Sequence, residues 1–261
     1  MEPSSGNVTM NNILFENEAC LVINKHCGEG GQVSFGRLPP GKLSGGQMSG
    51  QKPAGLLKPV HRLDTPASGC LLLAKTREAA AFFSTAFAAP EKTIEKRYWA
   101  IVEKKRDDNP SIARILLNGE WQEFVHWISF TPKQNKSFAH DAEKPGAKKA
   151  QLRLRLVGSG DRYLFLEIDL ITGRHHQIRA QLSALGFPVK GDLKYGARRS
   201  EKSGGIRLHA RSLRFPNPMD PGKIILVEAP PPVDYRNPTD SLWEAFINSN
   251  NLHFSLKNNI V

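Results

Sequence analysis

Residues 152–170 read LRLRLVGSGDRYLFLEIDL, and this stretch decides the kind of fold that the sequence predicts. Leucine occupies every second position of 152–156 and alternates with Arg153 and Arg155, which is the period of a strand with one buried and one basic face. Apolar residues alternate again over 164–170, and the sequence GSGD at 158–161 supplies a turn between the two runs. The stretch therefore predicts two consecutive strands that pair as a hairpin.

More strands, and a small number of helices, are predicted on either side of this hairpin. Downstream, Ile178, Leu182 and Leu185 are spaced along one helix face, and Gly186 is placed to end that helix. Further strands are predicted at 13–15, 20–23, 69–74, 96–102, 207–215 and 223–227, and further helices at 77–88 and 241–247. Many strands, few helices and a hairpin-like order indicate an α+β fold, in which helices flank a mixed, largely antiparallel β-sheet.

The chain has 261 residues without an internal repeat or a clear linker, so we expect a single domain over 1–261. Residues 1–12 are expected to be a loose N-terminal tail. Residues 28–54 are rich in glycine and lack apolar periodicity, which predicts a long loop. Residues 132–149 are rich in lysine and are predicted to be a basic loop.

The composition predicts an anionic partner. Lys and Arg number 36 against 25 Asp and Glu, for a formal charge of +11, and nucleic acid is the first candidate partner. A basic surface with no special partner stays open as the alternative. No apolar run approaches the ~18–20 residues that cross a bilayer, and the N-terminus lacks an apolar signal segment. Cysteines number only three, too few for a disulfide framework, so we expect a location in the reducing cytoplasm.

A first candidate site is the segment HRLDTPASG at 61–69. It places the carboxylate of Asp64 beside the cation of Arg62 and the base of His61, in a turn that leads into a strand. Loops carried by rigid strands are common places for catalytic groups. A surface turn in which Asp64 caps its own backbone is an equally open interpretation.

A second candidate site is the segment TGRHHQIR at 172–179, which is predicted to open the helix described above. Helix N-termini favour anions, so Arg174, His176 and Gln177 are candidate ligands of a phosphate or a carboxylate. His175 and Arg179 are expected to share one helix face. Adjacent histidines do not converge on one ion, and no HExxH pattern or cysteine pair supports them, so we expect no metal.

A third candidate is the strand-like segment KRYWA at 96–100. In a strand, Tyr98 points to the opposite face from Arg97 and Trp99. One of the two aromatic residues is therefore expected in the core, and the other is left for a site.

Taken together, these segments resemble the RluA-type family of RNA pseudouridine synthases. The resemblance rests on HRLD with Ser68-Gly69 and Ala74-Lys75, on KRYWAIV at 96–102, on TGRHHQIRAQLSALGFPVKGDLKYG at 172–196, and on LHA at 208–210. It extends from about residue 13 to about residue 228 and implies the pseudouridine synthase catalytic fold.

The resemblance also implies roles for individual residues. Asp64 corresponds to the essential catalytic aspartate, Tyr98 to the active-site tyrosine, and Arg179 to the basic residue that pairs with the aspartate. Arg62 corresponds to the arginine that helps to hold the flipped-out state of the RNA. Other residues expected to bind RNA are His61, Arg174, His176 and Gln177, with Ile178 and Leu208 lining or backing the pocket.

The implied reaction isomerises uridine to pseudouridine in structured RNA, either tRNA or rRNA. It breaks the N1–C1′ bond, rotates the base and rejoins it through C5, so we expect no cofactor and no metal. Asp64 acts either as a nucleophile at C1′ or as a base at C2′, and the sequence leaves both open. Arg153, Arg155, Lys144, Lys148 and Lys149 are expected to contact phosphates, although an ordinary solvated loop explains the lysines equally well.

The sequence departs from the family pattern at two places, and two other functions stay open. Asn24-Lys25-His26 replaces a common Asn-Lys-Pro turn, and His175 stands where Thr or Ser is common. No extra N-terminal RNA-binding domain of the S4 type and no obligate protein partner are expected. The main alternative is a catalytically inactive RNA-binding protein on the same scaffold. A phosphate-handling hydrolase is a further alternative, but the sequence lacks a P-loop.

Overall fold

The computed structural model describes residues 12–29, 57–89, 93–104, 119–202, 204–232 and 241–258, with side chains up to residue 250. Of the predicted tail, only Asn12 is among the described residues, and of the predicted Gly-rich loop, only Gly28 and Glu29. The rest of both predictions lies outside the described residues.

One sheet of eleven strands organises the described part of the chain. The strands are β1 Ile13–Glu16, β2 Cys20–Lys25, β3 Lys58–Pro59, β4 Ser68–Ala74, β5 Glu95–Glu103, β6 Gln122–Thr131, β7 Lys136–His140, β8 Lys148–Ser159, β9 Tyr163–Leu170, β10 Leu208–Asn217 and β11 Asp220–Glu228. The α-helices described are α1 Arg77–Ala88, α2 Gln177–Ala184 and α3 Leu242–Asn258. Short 3-10 turns lie at Pro132–Gln134 and Leu193–Tyr195.

The strand order confirms the predicted α+β class. The strands follow one another as β1-β2-β4-β10-β5-β9-β8-β6-β7, with β11 beside β10 and β3 beside β4. The pair β4–β10 is parallel, whereas the other named pairs are antiparallel, so the sheet is mixed and largely antiparallel as predicted. The hairpin predicted from 152–170 is the pair β8–β9.

The parallel pair β4–β10 depends on one glycine. Gly69 pairs with Ala210 and has a φ of 112°, which side-chain-bearing residues rarely adopt. A Cβ atom at Gly69 would lie 2.3 Å from the carbonyl oxygen of Ala210. Because of this close approach, the loop that precedes β4 and carries Asp64 lies beside Leu208, the first residue of β10.

Two hydrophobic clusters bury both faces of β5. Tyr98 belongs to the main core, together with Ile178 and Leu182 of α2. Trp99 belongs to a second cluster formed with α3, in which its ring stacks on Phe246 with a centroid distance of 4.6 Å. The prediction that one of the two aromatic residues is core and the other is left for a site agrees with the structure: α3 covers Trp99, while Tyr98, although also buried, lines a cleft.

The predicted basic loop at 132–149 is wrong in part. Lys136–His140 forms β7, which pairs with β6, and β8 already begins at Lys148. The sequence KSFAH of β7 lacks the apolar alternation of a half-buried strand. This strand instead forms through backbone pairing at the sheet edge, with one side chain, Ser137, buried.

The predicted basic outer face of β8 is also corrected by the structure. Arg155 is buried and its Nε donates a hydrogen bond to Glu167 at 2.7 Å across the β8–β9 pair. Arg153 remains partly exposed and donates to Asp169 at 3.2 Å. Both guanidinium groups are thus engaged by acidic residues of β9, which weakens their predicted role as phosphate ligands.

Candidate active site

A cleft of about 720 Å³ brings the three predicted catalytic residues together. The loop before β4 supplies Asp64, strand β5 supplies Tyr98 and helix α2 supplies Arg179. The other predicted site residues that line this cleft are His61, Arg62, Arg174, His176, Gln177, Ile178 and Leu208. Residues far apart in the chain therefore converge on one cavity.

Arg179 is the centre of the charged network in this cleft. Its Nη1 donates to Oδ2 of Asp64 at 3.1 Å, while Nε and Nη2 donate to the two carboxylate oxygens of Asp192 at 2.7 and 2.9 Å. The guanidinium also lies over the ring of Tyr195, 4.8 Å from its centroid. Burial disfavours the charged form, but the hydrogen bonds and charge of Asp192, joined by Asp64, outweigh it and raise the pKa of Arg179.

The side chain of Asp64 points into the cleft and does not close its own turn. The turn is closed by the backbone, because the amide of Ala67 donates to the carbonyl oxygen of Asp64 at 3.0 Å. The carboxylate is only 14% exposed and faces the guanidinium of Arg179. The alternative of a surface turn capped by its own aspartate is therefore not what the structure shows.

Tyr98 supplies a neutral aromatic wall. Its side chain is buried and lines the cleft from β5. Burial, followed by the negative charge of Asp64, raises the pKa of the phenol far above its ordinary value. The hydroxyl group of Tyr98 therefore stays protonated at neutral pH and is available as a donor.

His176 presents a neutral imidazole to the carboxylate of Asp64. Its Nε2 lies 3.9 Å from Oδ2 of Asp64, and its Nδ1 lies 3.0 Å from the hydroxyl oxygen of Tyr195. Burial and then the positive charge of Arg179 lower the pKa of His176 to about 3. Asp64 thus faces the charged guanidinium of Arg179 and the uncharged ring of His176.

Tyr195 is a member of the site that the sequence analysis did not single out. Its hydroxyl oxygen accepts a hydrogen bond from the buried amide of Ser137 at 2.9 Å, and it also contacts His176. Its ring supports the guanidinium of Arg179. Tyr195 lies within the quoted motif at 172–196, but nothing in its spacing indicates that the side chain folds back beneath the arginine.

The predicted start of the helix that carries Arg179 needs correction. Helix α2 begins at Gln177, and His176 before it has a left-handed φ of 50°. His175 and Arg179 therefore do not share a helix face. This backbone turn instead stacks the rings of His175 and His176 at a centroid distance of 3.8 Å.

His61 and Gln177 line the cleft and form hydrogen bonds that fix its backbone. Nε2 of His61 accepts the amide hydrogen of Leu72 at 3.0 Å, and burial, followed by the charge of Lys96, lowers the pKa of His61 to about 4. The side-chain oxygen of Gln177 accepts hydrogen bonds from the Thr172 hydroxyl and the Arg174 amide. The contact of both residues with RNA stays a prediction, whereas their structural role is visible.

Positive side chains surround the mouth of the cleft. Arg62 and Arg174 are exposed, and Arg174 is anchored by a 3.0 Å hydrogen bond from its Nε to the carbonyl oxygen of Lys149. Lys96 lines the cleft from β5. Such a mouth attracts anions and gives them several possible donors.

Lys25 is a second residue that the sequence analysis did not place at the site. This lysine is 1% exposed, and its Nζ donates to the carbonyl oxygens of His26, Glu29 and Thr65 at 2.8, 3.0 and 3.2 Å. Burial lowers its pKa to about 8. Since Thr65 directly follows Asp64, Lys25 ties the end of β2 to the loop that carries Asp64.

Clusters of metal-ligating side chains and membrane-spanning helices are both absent from the described residues. No group of three or more His, Cys, Asp or Glu side chains is placed there to hold a metal ion. Within the same ranges, no helix combines the length and the apolar character needed to cross a membrane.

Comparison with known proteins assigns the chain to a family. The family model described as RNA pseudouridylate synthase matches residues 49–184, about half of the chain. This match includes the segments that carry Asp64, Tyr98 and Arg179. The chain belongs to the RNA pseudouridylate synthase family.

Curated relatives agree with this assignment. The protein named uncharacterized RNA pseudouridine synthase YhcT of Bacillus subtilis is 31% identical over 238 residues, which cover 86% of this chain and 70% of the relative. Ribosomal large subunit pseudouridine synthase C of Vibrio parahaemolyticus is 27% identical over 79% of this chain. The match spans 61% of that Vibrio protein's length, as it does for the same-named protein of Vibrio vulnificus.

Solved structures confirm the fold. Human RNA Pseudouridylate Synthase Domain Containing 4 superposes with a TM-score of 0.61 at 20% identity and covers 92% of this chain and 93% of its own. Human RNA Pseudouridylate Synthase Domain Containing 1 gives a TM-score of 0.59 at 24% identity, with coverage of 85% and 84%. The predicted pseudouridine synthase catalytic fold is therefore confirmed.

Proposed function

We propose that this protein is an RNA pseudouridine synthase, an isomerase that converts uridine to pseudouridine in structured RNA. One observation carries the proposal: the Asp64 carboxylate lies 3.1 Å from the buried Arg179 guanidinium, in a cleft that Tyr98 also lines. The rival hypothesis of an inactive RNA-binding protein does not require this shielded carboxylate, because RNA binding needs no negative charge in the cleft.

Asp64 is the group that attacks the nucleoside in this proposal. In its ionised form it either adds to C1′ of the ribose or removes the proton from C2′, and both routes break the N1–C1′ bond. The hydrogen bond from Arg179 holds the carboxylate in place in the cleft. The cleft volume of about 720 Å³ lies within the range of small-molecule sites, so a nucleoside fits inside it.

The target base has to leave the RNA stack to reach Asp64. Extrusion of a base costs a few kcal/mol, which contacts with the protein must offset. Tyr98 offers an aromatic ring for stacking on the uracil, and Arg62, exposed at the mouth, fills the gap left in the RNA. Arg174 and His176 complete the binding wall.

The partner that we propose is tRNA or rRNA, bound without an obligate protein partner. Ribosomal RNA is supported by the names of the Vibrio relatives, and the formal charge of +11 suits either RNA. We further propose that residues 1–261 act as one catalytic domain that works without a metal or a cofactor. None of the three cysteines forms a disulfide, which is consistent with the reducing cytoplasm that we propose as the location.

The decisive experiment uses cellular RNA labelled with tritium at C5 of uridine. Isomerisation forms the new glycosidic bond at C5 and releases the label to water, whereas binding alone does not. We expect release with the wild-type protein and none with Asp64→Asn, at unchanged RNA affinity. Asp161→Asn, in an exposed turn, is the matched control. Binding of RNA by the wild type without any release would favour the inactive alternative.

A further inference from the structure

A run of aromatic rings leads from the solvent to the candidate active site along the edge formed by β6 and β7. Phe130 of β6 is 46% exposed, and its ring centroid lies 4.2 Å from that of His175. The ring of His175 stacks in turn on His176, which faces Asp64. Phe130 is thus connected to the catalytic carboxylate through two ring contacts.

The inner ring of this run is fixed in place by the neighbouring strand. Nδ1 of His175 lies 2.9 Å from the hydroxyl oxygen of the buried Ser137 in β7. Phe130 pairs with Ser137 across the two strands, so both side chains project from the same face of the sheet as the hydrogen-bonded histidine. The rings therefore form a fixed surface and need little ordering when a ligand binds.

Cations surround the same surface. Arg62, Arg179 and Lys194 all act on the imidazole of His175 as positive charges, and Nζ of Lys136 lies 5.1 Å from the ring centroid of Tyr195 beside it. Lys194 is exposed and is tethered to the edge by a 3.2 Å hydrogen bond to the carbonyl oxygen of Asn135. A solvent-facing ring with cations at its side is the arrangement that binds single-stranded nucleic acid.

We propose that Phe130 and His175 form a second RNA-binding site, which stacks on an unpaired nucleobase next to the uridine in the cleft. Lys136 and Lys194 bind the phosphates on either side of that base. The inference rests on the proposed function, because it requires RNA in the cleft. Extrusion of a uridine distorts the strand at the neighbouring nucleotide and exposes its base. Phe130 and His175 provide a stacking surface for that base, and only the ring of His176 separates His175 from Asp64.

The test compares Phe130 with an exposed apolar residue of another strand. Leu226 of β11 is 61% exposed and lies outside the lining of the cleft. The probe is a synthetic RNA stem-loop with one loop uridine, together with versions in which either neighbouring nucleotide is abasic. We expect Phe130→Ala to weaken binding of the intact RNA about tenfold, and Leu226→Ala to leave it unchanged.

The abasic probes separate stacking from general damage. One of the two abasic RNAs lacks the base that stacks on Phe130. The wild type should bind this RNA weakly, and Phe130→Ala should bind it no more weakly, because the stacking partner is already missing. His175→Thr should show the same pattern, and a thermal melt confirms that each variant folds. Equal loss on intact and abasic RNA, or no loss in Phe130→Ala, would overturn the inference. Tritium release by these variants at saturating RNA shows separately whether the proposed function stands.

Discussion

Asp192→Asn is the substitution that best tests how the charged network works. Asp192 is 2% exposed and accepts two hydrogen bonds from Arg179, while the third donor of the same guanidinium serves Asp64. An asparagine at this position has nearly the same shape. It keeps one neutral acceptor but loses the negative charge and one oxygen acceptor.

The size of the effect follows from these contacts. Breaking a buried ion pair by removing one partner costs about 3–5 kcal/mol. Asp64 still compensates part of the charge of Arg179, so we expect a loss of about 3 kcal/mol in the free energy of unfolding. For a chain of this size that corresponds to a fall in Tm on the order of 10 °C. A guanidinium held by two acceptors instead of three also moves, and a misplacement of about 1 Å costs about 100-fold in rate.

The assay is single-turnover tritium release at a temperature at which the variant is fully folded. Glu201→Gln is the matched control, because Glu201 is a buried carboxylate that joins two cations, Lys190 and Arg207, outside the cleft lining. We expect both variants to melt at lower temperature and only Asp192→Asn to lose about 100-fold in rate. Equal rates for both folded variants would refute the positioning role of Asp192.

Three other substitutions or conditions test separate parts of the structure. Gly69→Ala should prevent folding, because its Cβ would lie 2.3 Å from the carbonyl oxygen of Ala210, and soluble expression with a wild-type Tm would contradict this. Tyr195→Phe should cost about 1–3 kcal/mol in urea unfolding by leaving the buried Ser137 amide unpaired, and should slow tritium release while RNA affinity holds. Stability should fall from pH 7 to pH 4: burial lowers the pKa of His209 to about 4, so the unfolded chain takes up a proton there that the folded chain refuses. The contribution of His209 is about 3 kcal/mol, and His61 and His176, whose pKa values are also lowered, act in the same direction. Urea midpoints that do not change over this range would contradict the prediction.

The three residues expected to carry the chemistry were predictable because the short motifs around them resemble those of the RluA-type family. Asp64, Tyr98 and Arg179 each stand in a short segment of recognisable order, and the cleft brings them together as expected. The α+β class followed from alternation within single strands. Both inferences use information that a few neighbouring residues contain.

The features that were missed depend on contacts between distant segments. Tyr195 contributes through the amide of Ser137, 58 residues away, and Lys25 through the carbonyl oxygen of Thr65, 40 residues away. Strand β7 forms because it pairs with β6, and its own polar sequence does not predict a strand. The burial of Trp99 depends on Phe246, whose position no local pattern indicates.

The two-sided packing of β5 has a consequence for the order in which the protein matures. Tyr98 is buried by the main core, whereas its neighbour Trp99 is buried by α3. Helix α3 follows every described strand in the chain. During synthesis, all eleven strands leave the ribosome before this helix does. Until α3 packs, the rings of Trp99 and Phe165 on that face of the sheet are exposed to water. We expect a chaperone or a protease to recognise the chain during this interval.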